Sequence, residues 1–593
     1  MFLREKTRFK DGKAHRYWSV VENRRVSGGQ VVQRQVLYLG ELNDAQQAGW
    51  IRTIEAFEGK GRGAKELALF PDDRPQLRVA PCEAVRIRLS DVTLLHPRQW
   101  GACWLALHLW GLLELDEFWR ARLAQSRKGT DWLNVLKALV CYRLIDPGSE
   151  WRFHREWFVR SAMADLLGED FSLAQKDKPY RCLDKLLEHK EGLFDHLRGR
   201  WGQLFGARFD VLLYDLTSTY FESDPPPAGS PSKRRFGYSR DHRSDCVQVV
   251  IALVVTPEGL PLAYEVYPGN TRDTSTLREF LDRIEKRYGR ARRVWLMDRG
   301  IPTEETLEEM RARQSSYLVG TPKGRLTKLE KALLGQDWTQ ARDNVRVKMV
   351  QQQDEFYLYV ESKERVAKER SMRRRRLKRL WAGLCELRAR KRLDRDQLLM
   401  ALGAAKKEAG RAWGLVKVRT PGANDPVNEQ TFAFELDRKK LRRALRSEGR
   451  YLLRSNMTGD SPDTVWEMYL LLTRIEQAFK DLKGDLAIRP IFHQLDTRIE
   501  AHIFVSFLAF CLHTALRNLM RVHAQGLTTH AMLETMASIQ MVDVDLPTTD
   551  GRNIVLSRYT QPDKAAALVL SQLDLILPPQ PPPKAYGSRQ VTM

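Results

Sequence analysis

Three acidic residues are placed where they could do chemistry together: Asp215 in ARFDVLLYDLT, Asp298 in ARRVWLMDRG and Glu476 in WEMYLLLTRIEQAFKDLKGDLAIRP. Carboxylates are the oxygen donors that hard divalent cations prefer, and Mg2+ keeps positions open for water and phosphate. Two such ions about 3.5 to 4 Å apart activate the attacking oxygen and stabilise the leaving one in an in-line phosphoryl displacement. On this reading Asp215 bridges both Mg2+ ions, Asp298 and Glu476 close one each, and Mn2+ is the natural substitute. Tyr469 and Lys483 each lie seven residues from Glu476. That is about two helical turns either way, so all three project from nearly one side within roughly 20 Å of axis. Lys483 and Tyr469 can then hold backbone phosphates beside the scissile bond. Arg474, Arg299 and Arg489 are further candidates for DNA contact. Taken singly, each Asp reads better as a cap or turn former and Glu476 as a partly exposed helix edge; the case rests on their combination.

The elements that must position these acids can be read from periodicity. Leu471, Ile475, Phe479 and Leu482 form the apolar stripe of an amphipathic helix with Glu476 on its flank. Val211, Leu213 and Asp215 share one face of a strand that delivers Asp215 at its end, and Val294, Leu296 and Asp298 do the same. Between them come the strands CVQVVIALVV and LPLAYEVYPG, then a helix capped by Asp273, Thr274 and Ser275. A helix in PTEETLEEMRAR and a strand in SSYLVGT follow. Three antiparallel-type strands, helix, strand, helix, strand is the element order of the ribonuclease H-like fold. Its first and fourth strands are neighbours, which brings Asp215 and Asp298 together at the strand ends where open α/β sheets place their sites.

Around this core the expected class is α/β, with a ribonuclease H-like core interrupted by a β-rich insertion and preceded by a small β region and a helical domain. Residues 1–90 form a basic β region suited to DNA binding, and 91–205 a helical domain that reads equally as DNA-binding or as scaffold. The core occupies 206–321 and 464–525. The insertion, 322–463, carries a hairpin in VRVKMV and FYLYVES, a basic helical stretch from Lys363 to about Asp396, and strands in WGLVKVRT, TFAFEL and RYLLRSN. Residues 526–593 end in LPPQPPPKAYGSRQVTM from Leu577, a tail expected to be disordered.

Composition narrows the partners. The 593 residues include 98 Lys and Arg against 75 Asp and Glu, a formal charge of +23. A field of that sign attracts a polyanion, of which nucleic acid is the commonest. Seven cysteines without CxxC pairs point to reduced thiols in a cytoplasm and away from zinc fingers or disulfides. The charged N-terminus is no secretory signal, and the longest apolar run, Ala501 to Leu516, is too short to span a membrane. His493, His502 and His513 lack cysteine companions at ligand spacing and read as core or DNA-facing groups.

At these residues the chain resembles the DDE transposases of bacterial insertion sequences, in the insertion-sequence-four superfamily. YDLTSTYFES, GLPLAYEVYPGNTRDTSTL leading to VWLMDRG, and YLLLTRIEQAFKDLKGDLAIRPIFH carry the likeness, with Tyr469, Glu476 and Lys483 in register with the signature of Tyr, Arg, Glu and Lys. The arginine position falls on Leu472, with Arg474 nearby. The resemblance implies a β-rich insertion before the glutamate and a dimer acting across two element ends. It implies a transposase that binds terminal inverted repeats in double-stranded DNA, cuts them with Mg2+ and joins the 3′ ends to target DNA, in the cytoplasm at the nucleoid. A transposase-derived DNA-binding protein without cleavage, and a ribonuclease H-like nuclease without strand transfer, are the alternatives.

Overall fold

The computed structural model describes residues 1–10, 13–25, 31–57, 85–124, 129–227, 229–241, 243–271, 273–288, 293–298, 302–321, 336–390, 393–423, 425–457 and 459–586. Arg299 and the Ser27-Gly28-Gly29 turn lie outside them. The chain divides into two compact units. The first comprises Met1–Lys6, Arg16–Trp295 and Leu471–Met593, and the second Thr7–His15 and Leu296–Leu470.

In the first unit, strands Lys13–Arg25 and Val31–Gly40 pair antiparallel. Alternation buries Leu37 and Leu39 and turns Arg34 outward, while Trp18 and Val20 are buried and Arg16 is exposed. The central sheet pairs strand Val211–Tyr220 with Gln248–Val255, and that with Pro261–Pro268, all antiparallel. Every residue of Gln248–Val255 is buried, the mark of a strand covered on both faces, which explains its unbroken apolar run. Strand Val294–Met297 starts in this unit beside the first of these strands, where Val294 N–H donates to the Asp210 carbonyl at 2.8 Å.

Asp215 does not end its strand as the alternation predicts. Pairing continues from Asp215–Leu253 to Tyr220–Gln248, because Leu216, Thr217, Ser218 and Thr219 are all buried and form the ladder's second half.

Helix Asp496–His523 is long and apolar enough to cross a membrane by composition, but its apolar window is 94% buried in the protein. It packs on helices Gly101–Leu112 and Trp132–Ile145 and on strand Pro261–Pro268, so it is the core helix of this unit. Farther along, strands Gln540–Pro547 and Asn553–Tyr559 join Thr93–Gln99 and Lys584–Tyr586 in a four-stranded sheet. The expected disordered tail is therefore ordered as far as Tyr586: Tyr559 N–H donates to Gln580 Oε1 at 3.0 Å, and Gln580 Nε2 returns the bond to the Tyr559 carbonyl at 2.8 Å.

In the second unit, strands Thr339–Arg342, Val345–Gln352, Glu355–Ser362, Arg450–Ser455 and Ser316–Thr321 form one antiparallel run in that order. The basic helix spans Lys363–Ala389, short of the expected Asp396. A second helix, Arg395–Ala409, starts at an Asp394–Gln397 capping box. These helices and the hairpin Val416–Arg419 with Ala433–Leu436 enclose their own core of Leu380, Leu384, Leu387, Leu398, Leu402 and Phe432.

Candidate active site

Asp215 projects half-exposed from a strand whose adjoining residues Leu213, Tyr214 and Leu216 are buried. Its Oδ1 accepts from the Leu216 N–H at 2.7 Å. Glu476 is exposed on helix Leu472–Lys483, whose opposite face buries Leu472, Ile475, Ala478, Phe479 and Leu482. That helix packs against the Asp215 strand, so two of the three acids sit on touching elements of one unit. Asp298 is exposed one residue beyond strand Val294–Met297 and belongs to the second unit.

The helix expected to run through Tyr469, Glu476 and Lys483 is interrupted at Leu471. Glu476 and Lys483 share the later segment. Tyr469 lies in the last turn of the earlier one, Pro462–Leu470, in the second unit, where its ring stacks on Tyr451 with centroids 5.4 Å apart.

Lys483 and Arg489 converge on a residue that sequence reading missed. Asp241, in the loop between strands Val211–Tyr220 and Gln248–Val255, accepts from Lys483 Nζ through Oδ1 at 2.9 Å, and Arg489 pairs with the same oxygen. The Arg489 guanidinium also lies 5.7 Å from the Tyr220 ring centroid. Burial pushes the Asp241 carboxyl up, but Arg489 and Lys483 outweigh it and hold it below the usual carboxylate range. Burial lowers the Lys483 ammonium despite the same contact. Both values fall, which favours the charged form of Asp241 and disfavours that of Lys483: Asp241 has two cations to offset its desolvation, whereas Lys483 has one acid against burial and the neighbouring Arg489 and Arg240. An acid inside the basic tip KRRFGYSRDHR was the available signal.

Arg474 points elsewhere. Nine residues separate it from Lys483, two and a half turns, so the two project from opposite sides of the helix. It lines a cavity of about 210 Å³ with Gln46, Glu258, Arg517 and Arg521.

Two other clusters combine histidine and carboxylate. Glu150 lies 3.2 Å from both His493 Nε2 and His502 Nδ1, all three buried. Buried Arg143 stands 3.9 Å from the same carboxylate, so a divalent ion there would add charge to a site already neutralised. Burial lowers His502 to about 4, and Glu150 is held well below its usual range: burial opposes this, but hydrogen bonds from His493 and His502 prevail. In the second cluster the His513 ring faces Asp481 through Nδ1 at 3.8 Å and Asp485 through Nε2 at 3.3 Å. Ligand atoms of the three lie within 4.8 Å of one another, but Arg517 already pairs with Asp481 at 2.6 Å and offsets the charge an ion would need. Both clusters suit structural networks, whereas Asp215 and Glu476 offer the partly exposed, oxygen-only donors that suit Mg2+.

Comparison with known proteins bears on these residues. Residues 3–66 match the family described as IS1634 family transposase, N-terminal domain. Residues 208–512, which contain Asp215, Asp298, Glu476, Lys483 and Arg489, match the family described as Transposase DDE domain. A search of curated proteins returned no match. Since the second of these family matches spans more than half of the chain, the protein belongs to the DDE transposases.

Proposed function

We propose that this transposase binds double-stranded DNA at the terminal inverted repeats of its element and moves that element by cutting and pasting. Asp215, Asp298 and Glu476 are the proposed catalytic acids on a ribonuclease H-like core and would hold two Mg2+ ions, with Mn2+ as substitute. When bound, the ions supply Lewis-acid activation of the attacking and leaving oxygens. The protein's own residues do the rest. The Glu476 helix, anchored by Ile475, Phe479 and Leu482, packs on the Asp215 strand. Lys483 and Arg489 lie beyond Glu476 as cations for strand phosphates, with Tyr469 and Arg299 as further proposed DNA contacts, whereas Arg474, on the far side of the helix from Lys483, is set apart from that strand. The reaction is an in-line displacement at phosphorus, first by water to free a 3′ hydroxyl and then by that hydroxyl on target DNA. The exposed arginines Arg374, Arg375, Arg376 and Arg379 of the basic helix are proposed to contact backbone phosphates. A homodimer acting across two ends, at the nucleoid, completes the reading.

The observation that carries the proposal is the packing of the Glu476 helix on the Asp215 strand inside the matched region. Its test is cleavage of duplexes carrying the element's own ends: the wild-type protein should nick and join them with Mg2+ and be inert in chelator. Nicking by Asp215→Asn at the wild-type rate would refute the assignment.

A further inference from the structure

The two cations proposed to meet the DNA strand are already occupied. Lys483 Nζ and Arg489 share Asp241 Oδ1, while Asp241 Oδ2 is buried and has no hydrogen-bond donor. One oxygen accepting from an ammonium and ion-paired with a guanidinium is also what a non-bridging phosphate oxygen would present to the same pair. We propose that Asp241 is a specificity-determining residue that stands in for a DNA phosphate, holding Lys483 and Arg489 until a correctly placed backbone phosphate displaces it. This rests on the reading of Lys483 and Arg489 as DNA contacts.

The contact is built into the fold. The Arg240 N–H donates to Ser218 Oγ at 3.3 Å, tying the Asp241 loop to the Asp215 strand. Gln248 Nε2 donates to the Tyr238 carbonyl at 3.0 Å, tying the loop to the neighbouring strand. Arg243 is committed to Asp245 and Glu222, which leaves Asp241 as the acid facing Lys483 and Arg489 among the described contacts. The pair is reachable, since the Arg489 side chain is 26% exposed.

A buried carboxylate with one unsatisfied oxygen is held at a cost, so its exchange for phosphate lies near balance. DNA that positions a phosphate well enough to displace Asp241 gains both cations. DNA in any other register meets an occupied pair. The device therefore weakens binding to unrelated sequence more than binding to element ends.

The test measures duplex affinity by fluorescence anisotropy without divalent metal, so it does not depend on cleavage. Asp241→Asn should bind a duplex of unrelated sequence about 10-fold more tightly than wild type at equal salt, with a salt slope steeper by up to about 2 from two added phosphate contacts. Adding Lys483→Gln and Arg489→Gln together should abolish the gain. Glu188→Gln, which removes an exposed acid elsewhere in the unit, should leave affinity unchanged. Unchanged or weaker binding by Asp241→Asn, or a gain that survives loss of both Lys483 and Arg489, overturns the proposal. In the wild-type background, Lys483→Gln alone should weaken end-DNA binding about 10-fold and unrelated DNA less than 2-fold. Equal losses on both would overturn it even if Asp241→Asn failed to fold, whereas failure of the wild type to cut its ends would count against the transposition reading alone.

Discussion

Two acids on strands, one in each unit, are treated in opposite ways. Glu355 in the second unit is 8% exposed and is surrounded: Arg454 Nε donates to it at 2.8 Å, Arg311 Nη1 at 2.6 Å, and the Tyr317 hydroxyl also donates. Asp215 in the first unit is half-exposed, on a strand that packs against the helix exposing Glu476. The same residue chemistry is spent on cohesion in one place and left toward solvent in the other. Exposure distinguishes the two: a buried carboxylate enclosed by cations has little left to offer an ion.

Substitutions sharpen this contrast. The largest effect is expected on chemistry: Asp215→Asn and Glu476→Gln should lower single-turnover end cleavage by about 10³-fold or more. Their thermal unfolding should stay within about 1 kcal/mol of wild type, as for surface changes. Glu355→Ala should do the reverse. Leaving buried Arg454 and part-buried Arg311 beside a lost partner should cost about 3 to 5 kcal/mol in denaturant unfolding of the second unit. Comparable destabilisation by Glu476→Gln would erase the distinction.

A third effect concerns pH. Folding lowers His502 to about 4 from an ordinary value of about 6.5. The unfolded chain then binds the proton more readily, so stability from the neutral ring is present above about pH 6.5 and lost as pH falls toward 4. Glu150, also depressed, loses its contribution further down in the same direction. Unfolding free energy should fall by up to about 3 kcal/mol between pH 7 and pH 4, and His502→Asn should flatten that slope; an unchanged slope would remove His502 from the account. The smallest effect is expected at Arg474, on the far side of the helix from Lys483. Arg474→Ala should change end cleavage less than about 2-fold while Lys483→Ala lowers it about 10-fold.

Much of the core was legible because its signals are local. The unbroken VVIALVV run, the alternation around Asp215 and the stripe through Ile475 and Phe479 each imply their element without reference to distant residues. What escaped depends on partners far along the chain. Asp241 meets Lys483 across 242 positions, and Thr93–Gln99 finds its strand partner beyond residue 540. The helix at Arg438–Ser447 was missed because six cations in ten residues hide its apolar stripe of Leu441, Ala444 and Leu445. The Asp394–Gln397 capping box was visible and would have split the basic helix from its successor. The break at Leu471 had no local signal, since neither Gly nor Pro marks it.

The central claim is that Asp215, Asp298 and Glu476 share metal. Its most direct test replaces Mg2+ with Fe2+ in the protein bound to its end DNA and maps peptide cleavage by the hydroxyl radicals generated with ascorbate and peroxide. The account predicts cuts beside all three acids, suppressed by excess Mg2+ and by Glu476→Gln. Cuts confined to the surroundings of Glu150 or His513, or sparing Asp298, would contradict it.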